Sequence, residues 1–134
     1  MPAFDLVIRD GETVTATDRV RQDVGILNGQ ITALGTGLGA GKREIDAAGK
    51  LILPGGIDAH CHVEQMSSSG IMTSDDFYSA SVSAAFGGTT TIIPFAAQHR
   101  GQSLRTVVDD YMACAEPKAV IDYAFHLIIS DPTD

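Results

Sequence analysis

The sequence has only two cysteines and few basic residues, and each shortage excludes a class of protein. Nine lysines and arginines stand against 17 aspartates and glutamates, giving a net charge of −8. No basic run is present, which argues against binding to nucleic acid or to an anionic membrane. Cys61 and Cys114 are too few and too far apart for a disulfide framework or a CxxC zinc motif, so we expect both to be reduced, small apolar residues.

Long apolar runs are missing as well. No window approaches the roughly 18 residues of a transmembrane helix, and the start, MPAFDLVIRDGE, lacks the basic and apolar segments of a secretion signal. The hydrophobic content of 44% is nevertheless enough for a folded core. We therefore expect a soluble, cytoplasmic protein.

Residues 1–54 have the pattern of short strands separated by turns. FDLVIR and ETVTAT are predicted to flank a turn at Asp10-Gly11, and QDVGIL and QITAL to flank a hairpin turn at Asn28-Gly29. A glycine-rich loop follows, and REID and KLIL are two further short strands. These residues are predicted to form a small β domain, one part of a sandwich.

Residues 55–134 alternate between strand and helix patterns. The predicted strands are GIDAHCHV, TTTIIPF and KAVIDYAFHLIIS. The first helix is expected to be capped by Thr73 and to end at Phe86; the second is expected to be capped by Ser103 and closed by Pro117. This order predicts a parallel sheet. A closed (β/α)8 barrel needs about 250 residues, so this segment can supply only its opening strands, or else a small open α/β unit.

Two of the four histidines stand one residue apart, in the stretch LILPGGIDAHCHVEQ. In a strand, His60 and His62 would share one face with Asp58, about 7 Å apart, at the carboxyl end where α/β folds place their sites. Two neighbouring imidazoles can bind one divalent metal. A bare HxH pattern is equally compatible with surface histidines on an edge strand or core histidines bonded to backbone carbonyls.

LILPGGIDAHCHVE resembles the PGxIDxHxH signature of the metal-dependent amidohydrolases. Together with TSDDF, AAFGGTTTII, DYAFHLIISDPTD and the N-terminal β segment, it resembles the hydantoinase/dihydropyrimidinase family in particular, and the resemblance extends to the last residue. Members combine a β-sandwich, built from both chain ends, with a TIM-like barrel. The resemblance therefore implies an α/β protein with the N-terminal part of the sandwich in residues 1–54 and the incomplete start of the (β/α)8 barrel in residues 55–134.

The resemblance also implies a chemistry. His60 and His62 would be ligands of the more buried metal of a two-zinc site that opens cyclic amides or ureides, such as hydantoins and dihydropyrimidines, to N-carbamoyl amino acids. The carboxylated lysine, two further histidines and the general-base aspartate are expected beyond residue 134, so the chain would hold no catalytic residue of its own. The loop after the first strand would face the small cyclic substrate, with Gln65, Met66 and Ile71 shaping selectivity, although each of them could equally be an ordinary solvated loop residue. A homo-oligomer is expected.

The remaining candidates have two interpretations each. His99 is either a neighbour of the substrate or metal or a solvated loop residue, and His126 either lies near the site or is hydrogen-bonded inside the barrel. Asp58 is expected to support the structure rather than act as the base. The chain as a whole could instead belong to a non-catalytic dihydropyrimidinase-like assembly protein, or be a split or truncated relative. The presence of both His60 and His62 favours the enzyme, since a scaffold has no need of them.

Overall fold

The computed structural model describes residues 2–67 and 69–132 and has a mixed α/β architecture that is mostly sheet. The chain divides into two compact units, Met1–Pro54 and Gly55–Asp134. In the described part of the chain, no helix is long and apolar enough to cross a lipid bilayer.

The first unit is a single five-stranded sheet. Its strands are β1 (Phe4–Val14), β2 (Arg19–Leu27), β3 (Gln30–Gly35), β4 (Gly41–Asp46) and β5 (Leu51–Ile52). The order is β3-β2-β1-β4, with β5 also paired to β1. β2 is antiparallel to both of its neighbours, β1 and β3, whereas β4 and β5 lie parallel to β1. The first strand is therefore the centre of the unit, which explains its length.

Of the two turns predicted in this unit, one is confirmed and one is wrong. Asn28 and Gly29 have φ angles of 53° and 75° and join β2 to β3 as a tight hairpin. Asp10 also has a positive φ, of 58°, but the chain does not reverse there. The register between β1 and β2 shifts between Ile8 and Gly11, and the Asp10 amide donates to Asp23 Oδ1 over 3.0 Å. Asp10-Gly11 is thus a bulge inside one long strand.

The second unit is a parallel sheet with two connecting helices. It contains β6 (Gly56–Cys61), α1 (Phe77–Phe86), β7 (Thr89–Ala97), α2 (Leu104–Ala115), β8 (Asp122–Tyr123) and β9 (His126–Ile128). The order is β6-β7-β8, with β9 also paired to β7, and every pair is parallel, as the alternation of strand and helix predicted. Over the residues described, the sheet is open and does not close into a barrel.

The helix ends follow the sequence prediction with one exception. Ser103 caps α2, where its side chain accepts a hydrogen bond from the Thr106 amide over 3.1 Å. The cap of α1 is Asp76, which accepts from the Ser79 amide over 2.8 Å, and not Thr73. Thr73 Oγ1 accepts instead from the amide of Gln65, so this side chain organises the preceding loop.

The single third strand predicted for residues 118–130 is two short strands. β8 and β9 both pair with β7 and are separated by Ala124 and Phe125, where the Ala124 amide donates to the carbonyl of Ile92 over 3.1 Å. Phe125 packs against the core, with its ring centroid 6.1 Å from that of Phe77. The break is therefore stabilised by tertiary contacts rather than by turn residues.

The core of the second unit lies between the sheet and the helices. Val63, Phe77 and Ala115 are its buried centre. Cys61 packs against them and is half-buried, and burial raises the pKa of its thiol, which agrees with its expected role as an apolar residue. Cys114 is exposed, so the expectation that it also fills the core is wrong.

Candidate metal centre

The two paired histidines lie at the carboxyl end of β6. The strand ends at Cys61, two positions earlier than the sequence pattern suggested, so His60 is its penultimate residue and His62 is the first residue beyond it. Their ring centroids are 5.8 Å apart and the ring planes are inclined at 75°. Asp58 accepts a hydrogen bond from the His60 amide over 3.1 Å, which stabilises the end of the strand.

The geometry of this pair is suited to a metal ion. Zinc–nitrogen bonds of about 2.0–2.1 Å in a tetrahedral arrangement bring the ring centres of two ligands to about 5 to 6 Å. The observed 5.8 Å falls in this range, so the separation of the two rings is compatible with one shared ion. Among the described residues, no group of three or more histidine, cysteine or acidic side chains is arranged to hold an ion, so the pair is a partial ligand set.

His62 makes one hydrogen bond that defines its chemical form. Its Nδ1 lies 2.5 Å from Gln65 Oε1. Because an amide oxygen only accepts hydrogen bonds, Nδ1 is the donor in this contact, and in the neutral imidazole Nε2 then carries the lone pair. Nε2 is then the nitrogen available to a metal.

Phe95 brings three histidines together, and sequence reasoning missed it. Its ring stacks on His62 at 5.1 Å and 17°, meets His60 edge-on at 4.6 Å and lies 5.1 Å from His126. In β7 the residues Ile92, Pro94 and Ala96 are buried, so alternation puts Phe95 on the opposite face. The alternation of TTTIIPFAA carries that signal, but it does not reveal that the opposite face meets the histidines.

The other histidines have different surroundings. His126 Nε2 lies 3.0 Å from the carbonyl oxygen of Ala59, so it donates to the backbone of β6. The residue is exposed, and its ring lies 5.1 Å from that of Phe95, so it is hydrogen-bonded as one interpretation predicted and near the histidine pair as the other predicted. His99 follows β7 and lies beside a cavity that His62 also lines. The structure therefore brings His99 and His62 to the same side of the sheet.

This cavity has a volume of about 420 Å³ and is open to solvent. It is lined by His62, Gln65, Met66, Ser67, Thr73, Ala97 and His99. Two of the three residues predicted to face substrate, Gln65 and Met66, are among them. The third, Ile71, has 69% of its surface exposed and lies outside the lining.

The base of the loop between β6 and α1 is held by ionic and backbone contacts. Glu64 has a φ of 48°, and its carboxylate pairs with Lys118 and accepts from the Phe77 amide over 3.2 Å. The hydrogen bond with Glu64 raises the pKa of Lys118. Glu64, two residues after His62, thereby connects the start of this loop to the first turn of α1 and to the segment before β8.

Known proteins are similar to this chain in sequence and in architecture. No family model matches the chain. The sequence is 48% identical over 131 residues to the D-hydantoinase of Ralstonia pickettii, covering 98% of this chain and 28% of the relative. It is 38% identical over 135 residues to the dihydropyrimidinase of Rattus norvegicus, covering 96% of this chain and 26% of the relative.

The solved structures agree with the sequence comparison. A D-hydantoinase structure superposes with a TM-score of 0.93 at 47% identity, covering 98% of this chain and 28% of that protein. The chain thus spans about 28% of the length of the proteins it matches, with the same fold over nearly all of its own length. Over nearly all of its own length, the chain is similar in sequence and fold to D-hydantoinases and dihydropyrimidinases.

Proposed function

We propose that the complete protein is a metal-dependent hydrolase that opens cyclic amide or ureide rings, such as hydantoins and dihydropyrimidines, to N-carbamoyl amino acids. The observation that carries the proposal is the pair His60 and His62, with ring centroids 5.8 Å apart at the carboxyl end of a parallel strand, in a chain 48% identical to a D-hydantoinase. A non-catalytic relative has no chemical need for such a pair.

In this proposal His60 and His62 bind one ion of a two-zinc site, and the other ligands come from outside residues 1–134. A bound zinc ion polarises the amide carbonyl and makes a water molecule nucleophilic near neutral pH. Phe95 supports both rings from the face of the sheet. No residue of this chain is assigned the role of general base.

The cavity beside His62 receives the ring substituent. Met66 and Ala97 offer it apolar surface, while Thr73 and His99 add polar groups at its edge. We assign residues 1–54 to the β-sandwich and residues 55–134 to the start of a TIM-like barrel. We also propose that the complete protein is cytoplasmic and forms a homo-oligomer. The barrel interior formed by further strands would close the cavity and complete the site.

The test uses the complete protein that contains this chain. We expect purified protein to hold about two zinc ions per subunit by elemental analysis, and to open hydantoin or dihydrouracil, followed by loss of ring absorbance. His60→Ala and His62→Ala should each lower the metal content and abolish ring opening. His126→Gln is the matched control, because glutamine retains a donor for the Ala59 carbonyl and the metal content should stay at the wild-type value. A folded protein that takes up no zinc and leaves both rings intact would refute the proposal and favour an assembly protein.

A further inference from the structure

Gln65 was expected to contact substrate, but its side chain is committed to a histidine. Its Oε1 lies 2.5 Å from His62 Nδ1, and no donor other than that ring approaches it among the described residues. A contact of this kind fixes both the tautomer and the rotation of the imidazole. Its effect on a metal site is therefore exerted through His62.

The backbone of Gln65 is itself held in place. Its amide donates to Thr73 Oγ1 over 3.0 Å, and its carbonyl accepts from the Thr73 amide over 3.0 Å. These two bonds join the ends of the loop between β6 and α1. The preceding residue, Glu64, is fixed in the left-handed region by its contacts with Lys118 and Phe77. The amide oxygen of Gln65 is thus positioned before any metal arrives, so its orientation costs little entropy on binding.

We infer that Gln65 is a positioning residue for metal binding, which keeps His62 as the Nδ1–H tautomer with Nε2 directed away from the loop. The inference rests on the proposed function, since it requires that His62 binds a metal. It assigns no contact with substrate to Gln65. Thr73 supports it by holding the Gln65 backbone.

The test measures zinc affinity of the complete protein by competition with a chromogenic chelator, which is independent of turnover. Gln65→Met keeps the length of the side chain and removes the acceptor, so zinc should bind about 10–100-fold more weakly. Gln65→Glu keeps an oxygen at the same place, so affinity should stay within a few-fold of wild type or increase. Gln30→Met is the matched control, since Gln30 is exposed in the other unit, and affinity should not change.

The outcomes separate the inference from the proposed function. If the wild-type protein binds no zinc, the proposed function fails and the inference fails with it. If the wild type binds zinc and Gln65→Met binds it equally well, the inference is overturned while the proposed function stands. A rise in KM for bulky ring substituents at unchanged zinc affinity would likewise overturn it and return Gln65 to the substrate. Where Gln65→Met does not fold, by circular dichroism, Gln65→Asn decides the matter, because it withdraws the oxygen by one methylene and should weaken zinc binding similarly.

Discussion

Gln98 is a buried amide whose hydrogen bonds are all used. Only 5% of its surface is exposed. Its Nε2 donates to the carbonyls of Gln102 and Asp131 over 2.8 and 3.0 Å. Its Oε1 accepts from the amides of Ser130 and Asp131, both over 2.9 Å. This side chain therefore joins the loop after β7, which carries His99, to the segment that follows β9.

Gln98→Glu changes one group without changing the shape of the side chain. A protonated glutamic acid can keep both accepted bonds and donate one, so the loss is one hydrogen bond, about 1 kcal/mol. An ionised glutamate donates none and leaves the carbonyls of Gln102 and Asp131 facing a negative oxygen. Each of the two carbonyls left without a donor costs about 1–3 kcal/mol, so the ionised side chain should cost about 2–6 kcal/mol before its repulsion with the carbonyl oxygens is added.

The difference between the two forms makes the cost depend on pH. Burial next to carbonyl oxygens disfavours the charged form, so the folded variant holds its proton to a pH above the unfolded value of about 4.3. Below that value the folded and unfolded states are both protonated and the extra cost is absent. Above it, each pH unit adds up to about 1.4 kcal/mol until the folded carboxyl ionises.

Hydrogen exchange at the amides of Ser130 and Asp131 reports this pH-dependent loss of stability directly, since these amides are the donors to Gln98 Oε1. Relative to wild type at the same pH, exchange in Gln98→Glu should be about 100-fold faster or more near pH 8 and much closer to wild type near pH 5. Gln102→Glu is the control, because the Gln102 side chain only accepts, from the His99 amide over 3.1 Å, and glutamate can do the same. An equal acceleration at both pH values, or one matched by Gln102→Glu, would show that Gln98 does not join these segments as described.

Two further substitutions test the core and the first helix. Phe77→Ala removes a ring with 0% exposure that packs against Tyr123 and Phe125. It should lower the free energy of unfolding of its unit by about 3–5 kcal/mol, and Phe77→Leu should lower it by less. A loss below about 1 kcal/mol in urea unfolding would contradict the buried placement of this ring. The Ser79 amide lowers the pKa of Asp76, so the charged cap stabilises α1 at neutral pH, and this contribution is lost as the pH falls below about 4 through the folded pKa. Asp76→Asn keeps the acceptor but does not titrate, so its melting temperature should lie below that of wild type at pH ~7, and the gap should narrow as the pH falls below about 4. A gap that does not change with pH would exclude the charge as the cause.

The features that could be predicted from sequence are those set by residues close together in the chain. Asn28-Gly29 needs only its two positive φ angles to define a hairpin. Ser103 needs only an amide three residues later to cap α2. The parallel arrangement followed from the alternation of strands and helices, which is also a local pattern. The placement of the histidine pair at a strand end belongs to this group as well.

The features that could not be predicted depend on partners far away in sequence. Asp10 could begin a turn or a bulge, and the choice depends on Asp23, which lies on the neighbouring strand. Thr73 has the residue type of a helix cap, but the amide of Gln65 takes its oxygen. The contacts of Phe95 with the histidines arise only after β6 and β7 pair. Each of these choices is made by tertiary contacts that no local pattern contains.

The two faces of β7 separate stability from chemistry in this unit. Ile92 and Ala96 lie on the buried face, whereas Phe95 lies on the other face with His60 and His62. Because successive side chains of a strand point to opposite faces, a substitution on one face need not disturb the other. Phe77→Ala should therefore lower stability, while His60→Ala should lower metal binding and leave the core packed. The chain thus has its own structural support for the histidine pair, on the face of β7 that carries Phe95.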